Sequence, residues 1–164
     1  FFPVKKITSK FKTISSKKDL QNFVQERSAH VTQTTLYGYL KTRIGTRYVA
    51  MLEDEKFAES INIAKWNIYV VAISDLTLYV FSFLTDQKNL KQNDAREIFD
   101  NIINEEIKNG LNEKICKNAK ENFTKKLETI NWHKHYKDSP FQESGLALYL
   151  SLIPISEPTR LVSI

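Results

Sequence analysis

The chain has 164 residues, of which 41% are hydrophobic and 12% aromatic, about one domain with enough apolar side chains for a core; a globally disordered chain is excluded. The formal net charge of +5 is concentrated at one end, because Lys5, Lys6, Lys10, Lys12, Lys17 and Lys18 put +6 and no acid into the first 18 residues. The remainder sits near −1, without the broad basic face of a nucleic-acid-binding domain, so no nucleic acid is expected as a partner.

Residues 1–18 read as a basic amphipathic arm. Val4, Ile7, Phe11 and Ile14 recur at intervals of three and four, with lysines between them and Pro3 at a first helical position. The plain reading is a short packing helix or frayed arm. The alternative is docking on an anionic membrane surface through Lys5, Lys6, Lys10 and Lys12. The arm has no apolar run of the kind a secretory signal carries.

Ser16-Lys17-Lys18-Asp19 resembles a capping box and opens a helix expected to run to Ile44 and stop at Gly45. Leu20, Phe23, Val24, Leu36, Leu40 and Ile44 supply its apolar face. Its middle carries a polar-aromatic stripe of Arg27, His30, Thr34 and Tyr37, and Arg43 and Arg47 follow near its exit. Asp54 is an N-cap for a second long helix over 55–84.

Within that second helix, INIAKWNIYVVAISDLTLYVFSFL is apolar almost throughout, but broken by Lys65, Asn67, Ser74 and Asp75. On the insertion scale the Ile, Leu, Val and Phe residues of 68–84 contribute roughly −4 to −5 kcal/mol, while a central Asp costs about 2.5 to 3.5 kcal/mol and the other polar groups add to that. Spanning a bilayer alone is marginal, so a buried central helix wrapped by amphipathic neighbours uses these residues better. Ser60, Asn67, Ser74 and Ser82 fall near one line of its wheel. A buried Asp75 needs a partner, and an Arg of the preceding antiparallel helix is the expected one.

Residues 85–93 read as a loop. Asp94 then caps a helix to Asn109 with Ile98, Phe99, Ile102, Ile103 and Ile107 inward and Glu105-Glu106 outward, stopped by Gly110. Asn112 opens another, whose stripe is Ile115, Cys116, Ala119, Phe123, Leu127 and Ile130. Cys116 is the only cysteine; it excludes an internal disulfide, suits a reducing compartment and reads as a small core hydrophobe. Residues 131–140 are aromatic and basic, an irregular packed loop or partner patch. Ser139-Pro140 opens a last helix through Gly145 into Tyr149.

LSLIPISEPTR at 150–160 resembles a translated transposase sequencing adaptor, so 150–164 is expected to be a non-native tail on a C-terminally truncated, metagenomic reading frame.

No G-x-S-x-G, P-loop, G-x-G-x-x-G or H-E-x-x-H occurs. His133-Lys134-His135 has no acidic or Cys partner at ligand spacing, so no metal and no cofactor are expected.

RSAHVTQTTLYGYLKTRIGTRY, followed by SINIAKWNIYVVAISDLTLY, resembles a small alphaproteobacterial helical protein family, some members of which carry an esterase label. The resemblance covers roughly 27–79, about a third of the chain. It implies that the Arg27–Asp75 region is the family core. It implies no mechanism, and the nucleophile motif an esterase needs is missing. The richness in Lys, Asn and Ile suits an AT-rich bacterial genome.

The expectation is therefore an all-α, antiparallel bundle of five or six helices over 19–149, with one long central buried helix. Its function is expected to be that of a non-enzymatic, cytoplasmic binding or adaptor module. It would hold a protein partner or small anionic ligand at a polar cluster between the first two long helices. Arg27, His30, Tyr37, Arg43, Arg47, Asn67, Ser74 and Asp75 are the candidate residues, and none is assigned a catalytic role. The alternatives are a peripheral protein of the inner membrane and a hydrolase built around His30, Tyr37, Arg43 and Asp75.

Overall fold

The computed structural model describes residues 13–88 and 92–152. The basic segment holding Lys5, Lys6, Lys10 and Lys12, and residues 153–164 of the adaptor-like tail, lie outside the described residues; the first residues of that tail, 150–152, close the last helix, with Leu152 buried. Among the described residues there are helices and no strands: α1 (Lys17–Ile44), the single turn α2 (Tyr48–Met51), α3 (Glu55–Lys88), α4 (Gln92–Lys108), α5 (Glu113–Thr129) and α6 (Gln142–Leu152).

Local chemistry sets most of the boundaries. Ser16 Oγ accepts from Asp19 N, and the Asp19 carboxylate accepts from Ser15 N and Oγ, which completes a box at the start of α1. Together these bonds hold the Asp19 carboxyl below its usual range. Gly45 ends α1 with φ 73° and ψ −161°, a region that only glycine enters without strain. Asp54 Oδ1 accepts from Lys56 N and Phe57 N, and Asn112 Oδ1 from Lys114 N.

Several boundaries differ from the sequence reading. Helix α3 continues through Lys88, and α4 starts at Gln92, so most of the expected 85–93 loop is helical. Asp94 lies inside the first turn of α4 and takes Lys17 Nζ at 2.6 Å instead of capping. The last helix opens at Gln142 after Ser139 turns the chain with φ 47°, and runs past Tyr149 to Leu152.

Helix α3 is the axis of an all-α bundle. Its apolar length would suffice to cross a membrane, but 56% of its most apolar window is buried inside the fold. Leu36 and Leu40 of α1 pack with Phe57, Ile61, Ala64 and Ile68 at one end of α3. Leu20 and Val24 pack in the cluster of Tyr69, Ile73, Leu78 and Phe81 at the other. Late α1 thus meets early α3, and the two are antiparallel. Phe99 of α4 stacks on Phe123 of α5 with ring centroids 3.9 Å apart, and Ile98, Ile102, Ile103 and Cys116 complete that layer. Ile107, expected inward, is exposed, and Glu106 takes its place.

Candidate ligand-binding site

Ser74, Asp75 and Ser82 of α3 are buried and tie that helix to later segments, whereas Asn67 is half-buried. Asp75, 3% exposed, accepts from Ser144 N at 2.8 Å and Ser144 Oγ at 2.6 Å on Oδ2, while Lys126 Nζ lies 3.2 Å from Oδ1. Lys126 also donates to Ser74 Oγ at 3.4 Å and pairs with Glu143. Ser82 Oγ donates to Trp132 O at 2.7 Å and accepts from Tyr136 N at 3.1 Å, pinning the 132–136 turns to α3. Thr77 Oγ1 turns back on Ile73 O.

This corrects the expected partnership of Asp75. Its cation is a lysine from α5, not an arginine from α1, and its strongest contacts cap the first turn of α6. A helix N-terminus leaves N–H groups without partners, and a buried carboxylate is a strong acceptor for one of them. Burial depresses the imidazole of the neighbouring His135, against an opposing pull from Asp75.

The expected polar cluster between the first two long helices does not assemble. Arg27, His30, Arg43 and Arg47 are exposed. Arg27 lies over the Phe23 ring and Arg43 over the Tyr39 ring. Tyr37 is half-buried beside Tyr48, and burial pushes its phenol up to about 12. His30 and Arg43 are exposed while Asp75 is buried against Ser144 and Lys126, so the grouping a hydrolase reading required is not gathered at one site. Ser144 does not rescue it: its hydroxyl meets the carboxylate directly, without the imidazole between them that would act as base.

A second buried polar centre lies on α4, where the sequence pattern suggested a solvated face. Glu106, 4% exposed, accepts from Gln25 Nε2 at 2.6 Å, Tyr69 Oη at 3.0 Å and Asn109 Nδ2 at 3.2 Å. Burial first, then the Glu106 charge, raises the Tyr69 phenol. Lys65 is buried too, with Nζ 4.6 Å from the Trp66 ring centre; desolvation lowers its ammonium, and Glu106 opposes that. The helical period carried a signal for this: 106 follows 102 and 103 at spacings of four and three, squarely on the inward face.

Two concavities flank α6. The first, about 600 Å³, runs between α3, α5 and α6 and is lined by Ser60, Asn67 and Ser74 together with Asn118, Asn122 and Lys126. Three members of the predicted α3 polar line thus share one groove. The second, about 520 Å³, lies between α1, α3 and α6. Ser28, Ile68 and Ala72 form its buried floor, and Arg27, Val31 and Phe141 are exposed lining residues. It occupies the space between the first two long helices where the polar cluster was expected, and Arg27 is the predicted residue that reaches it.

Among the described residues no group of three or more His, Cys, Asp or Glu side chains is placed to hold a metal ion. No family model, curated protein or solved structure matches this chain.

Proposed function

We propose that this chain is a non-enzymatic helical binding module whose site is the cavity between α1, α3 and α6. The observation that carries the reading is the cavity itself: about 520 Å³, within the range of small-molecule sites, and apolar except for Arg27, Ser28, Thr35 and Ser144. Every lining residue precedes the adaptor-like segment, and Leu148 among them packs in one cluster with Leu152 of that segment. The groove on the other side of α6 is a weaker candidate. Its one cation, Lys126, already lies between the carboxylates of Asp75 and Glu143, which disfavours an anionic ligand there.

The test is amide chemical-shift mapping of the whole chain during titration with 1-anilinonaphthalene-8-sulfonate. Saturable shifts are expected to centre on Ser28, Val31, Ala72, Leu76 and Leu148, and to disappear in Ala72→Phe, which fills the floor. Shifts confined to the exposed residues Leu146, Tyr149 and Leu150, or to the α3/α5/α6 groove, would refute the assignment.

A further inference from the structure

We infer that the cavity between α1, α3 and α6 takes a single-chain amphiphile with an anionic head, a long-chain carboxylate being the simplest member of the class. The inference rests on the binding-module reading above and names its ligand. Three observations converge. The walls are hydrocarbon: Ile68, Ala72 and Leu76 on α3 face Leu148 on α6, a lining that suits an alkyl chain and offers little to a polar body. The charge at the cavity is a single cation. Arg27 lines it, lies over the Phe23 ring and joins no ion pair among the described residues. A guanidinium presents a planar fork that matches a carboxylate, and it stays charged at every relevant pH.

The third observation is Ser28. It is 1% exposed, it lines the same cavity, and its Oγ has no hydrogen-bond partner. Buried hydroxyls are normally satisfied, so an idle one in the wall of a cavity points to a ligand atom. Both line one cavity: the Arg27 guanidinium at its exposed side is the partner for a carboxylate, and the Ser28 hydroxyl on the buried floor is a second unused polar group in the same cavity.

Isothermal titration of the whole chain with dodecanoate, dodecanol and dodecyltrimethylammonium tests this. Dodecanoate should bind about tenfold tighter than dodecanol, and the cationic amphiphile weakest. Arg27→Gln should weaken dodecanoate about three- to tenfold while leaving dodecanol within about twofold, the range expected of a partly exposed charge-assisted pair. Val31→Glu, one turn along on an exposed position, should weaken dodecanoate similarly, by competing for Arg27 and repelling the head group. Both changes lie on the surface, so neither threatens the fold. Equal binding of dodecanoate and dodecanol, or dodecanoate binding untouched by both substitutions, would overturn the anionic head while leaving the cavity reading intact. If none of the three amphiphiles binds and the naphthalene probe maps elsewhere, both readings fail.

Discussion

Asp75→Ala should be among the most damaging single substitutions in the chain, and its cost can be built from its contacts. The change removes an acceptor from Ser144 N and Oγ and an ion-pair partner from Lys126. Breaking a buried pair by deleting one member costs about 3–5 kcal/mol. Here Lys126 keeps Glu143 and its side chain remains 17% exposed, which pulls the figure to the lower end. Two lost charge-assisted hydrogen bonds, about 1.5–3 kcal/mol each in isolation, overlap with that sum and do not add to it in full. The expected loss is about 3 kcal/mol. Asp75→Asn keeps an acceptor for Ser144 and gives up the charge, so about half that loss is expected. Urea unfolding measures the total, and amide exchange locates it. With about 1.4 kcal/mol per factor of ten, α6 amides should exchange roughly a hundredfold faster if the helix opens locally. A loss under about 1 kcal/mol for Asp75→Ala would refute the capping account. So would a double-mutant cycle with Ser144→Ala that is additive within about 0.5 kcal/mol.

The remaining predictions concern other buried polar groups. Thr32 is fully buried and its Oγ1 has no hydrogen-bond partner, so the isosteric Thr32→Val should raise stability by about 1 kcal/mol in urea unfolding; a loss of stability would mean that the hydroxyl is satisfied. Glu106→Ala should cost about 3 kcal/mol because Gln25 and Tyr69 lose their shared acceptor, whereas Glu105→Ala, at a side chain 43% exposed whose loss leaves the buried Gln21 amide without that acceptor, should cost about 1 kcal/mol; equal effects would contradict the buried-network description. His135 has a depressed folded-state pKa, so the unfolded chain holds the proton more tightly. Its contribution is complete above the ordinary 6.5 and is lost as pH falls from there through the depressed value, then stays level. His135→Gln should flatten that part of the urea midpoint profile, although Asp75, Lys126, Asp138 and Glu143 act on the same imidazole; an unchanged slope would place the pH dependence elsewhere.

The fold was largely legible because its determinants are local. Ser16, Asp54 and Asn112 cap within three residues of themselves, Gly45 stops α1 through its own dihedrals, and the stripes of α4 and α5 are periodic. The junction at 85–93 reads as a loop because its composition is polar, while the α3 backbone continues to Lys88 with Asp86 and Gln87 exposed to solvent. The site was harder to read for a different reason. That Asp75 must be buried and paired follows from its apolar surroundings. Which residue pairs with it depends on docking Ser144 and Lys126, 69 and 51 positions away, and helical periodicity says nothing about which of several amphipathic helices takes which face of α3.

Polarity therefore has two jobs in this molecule, and sequence alone does not separate them. Asp75, Ser82 and Glu106 were sequence positions that suggested interruption or exposure, and in the structure each is satisfied by a distant segment. A satisfied buried group holds register and is spent on the fold. Arg27 and Ser28 are the opposite case: one is an exposed cation with no ion pair among the described residues, the other a buried hydroxyl with no partner, and both line the same apolar cavity. Capacity left over after folding is what a ligand can use, and under the proposed function it lies at Arg27 and Ser28 of α1, the first of them on the sequence stripe, and not at the conspicuous Asp75.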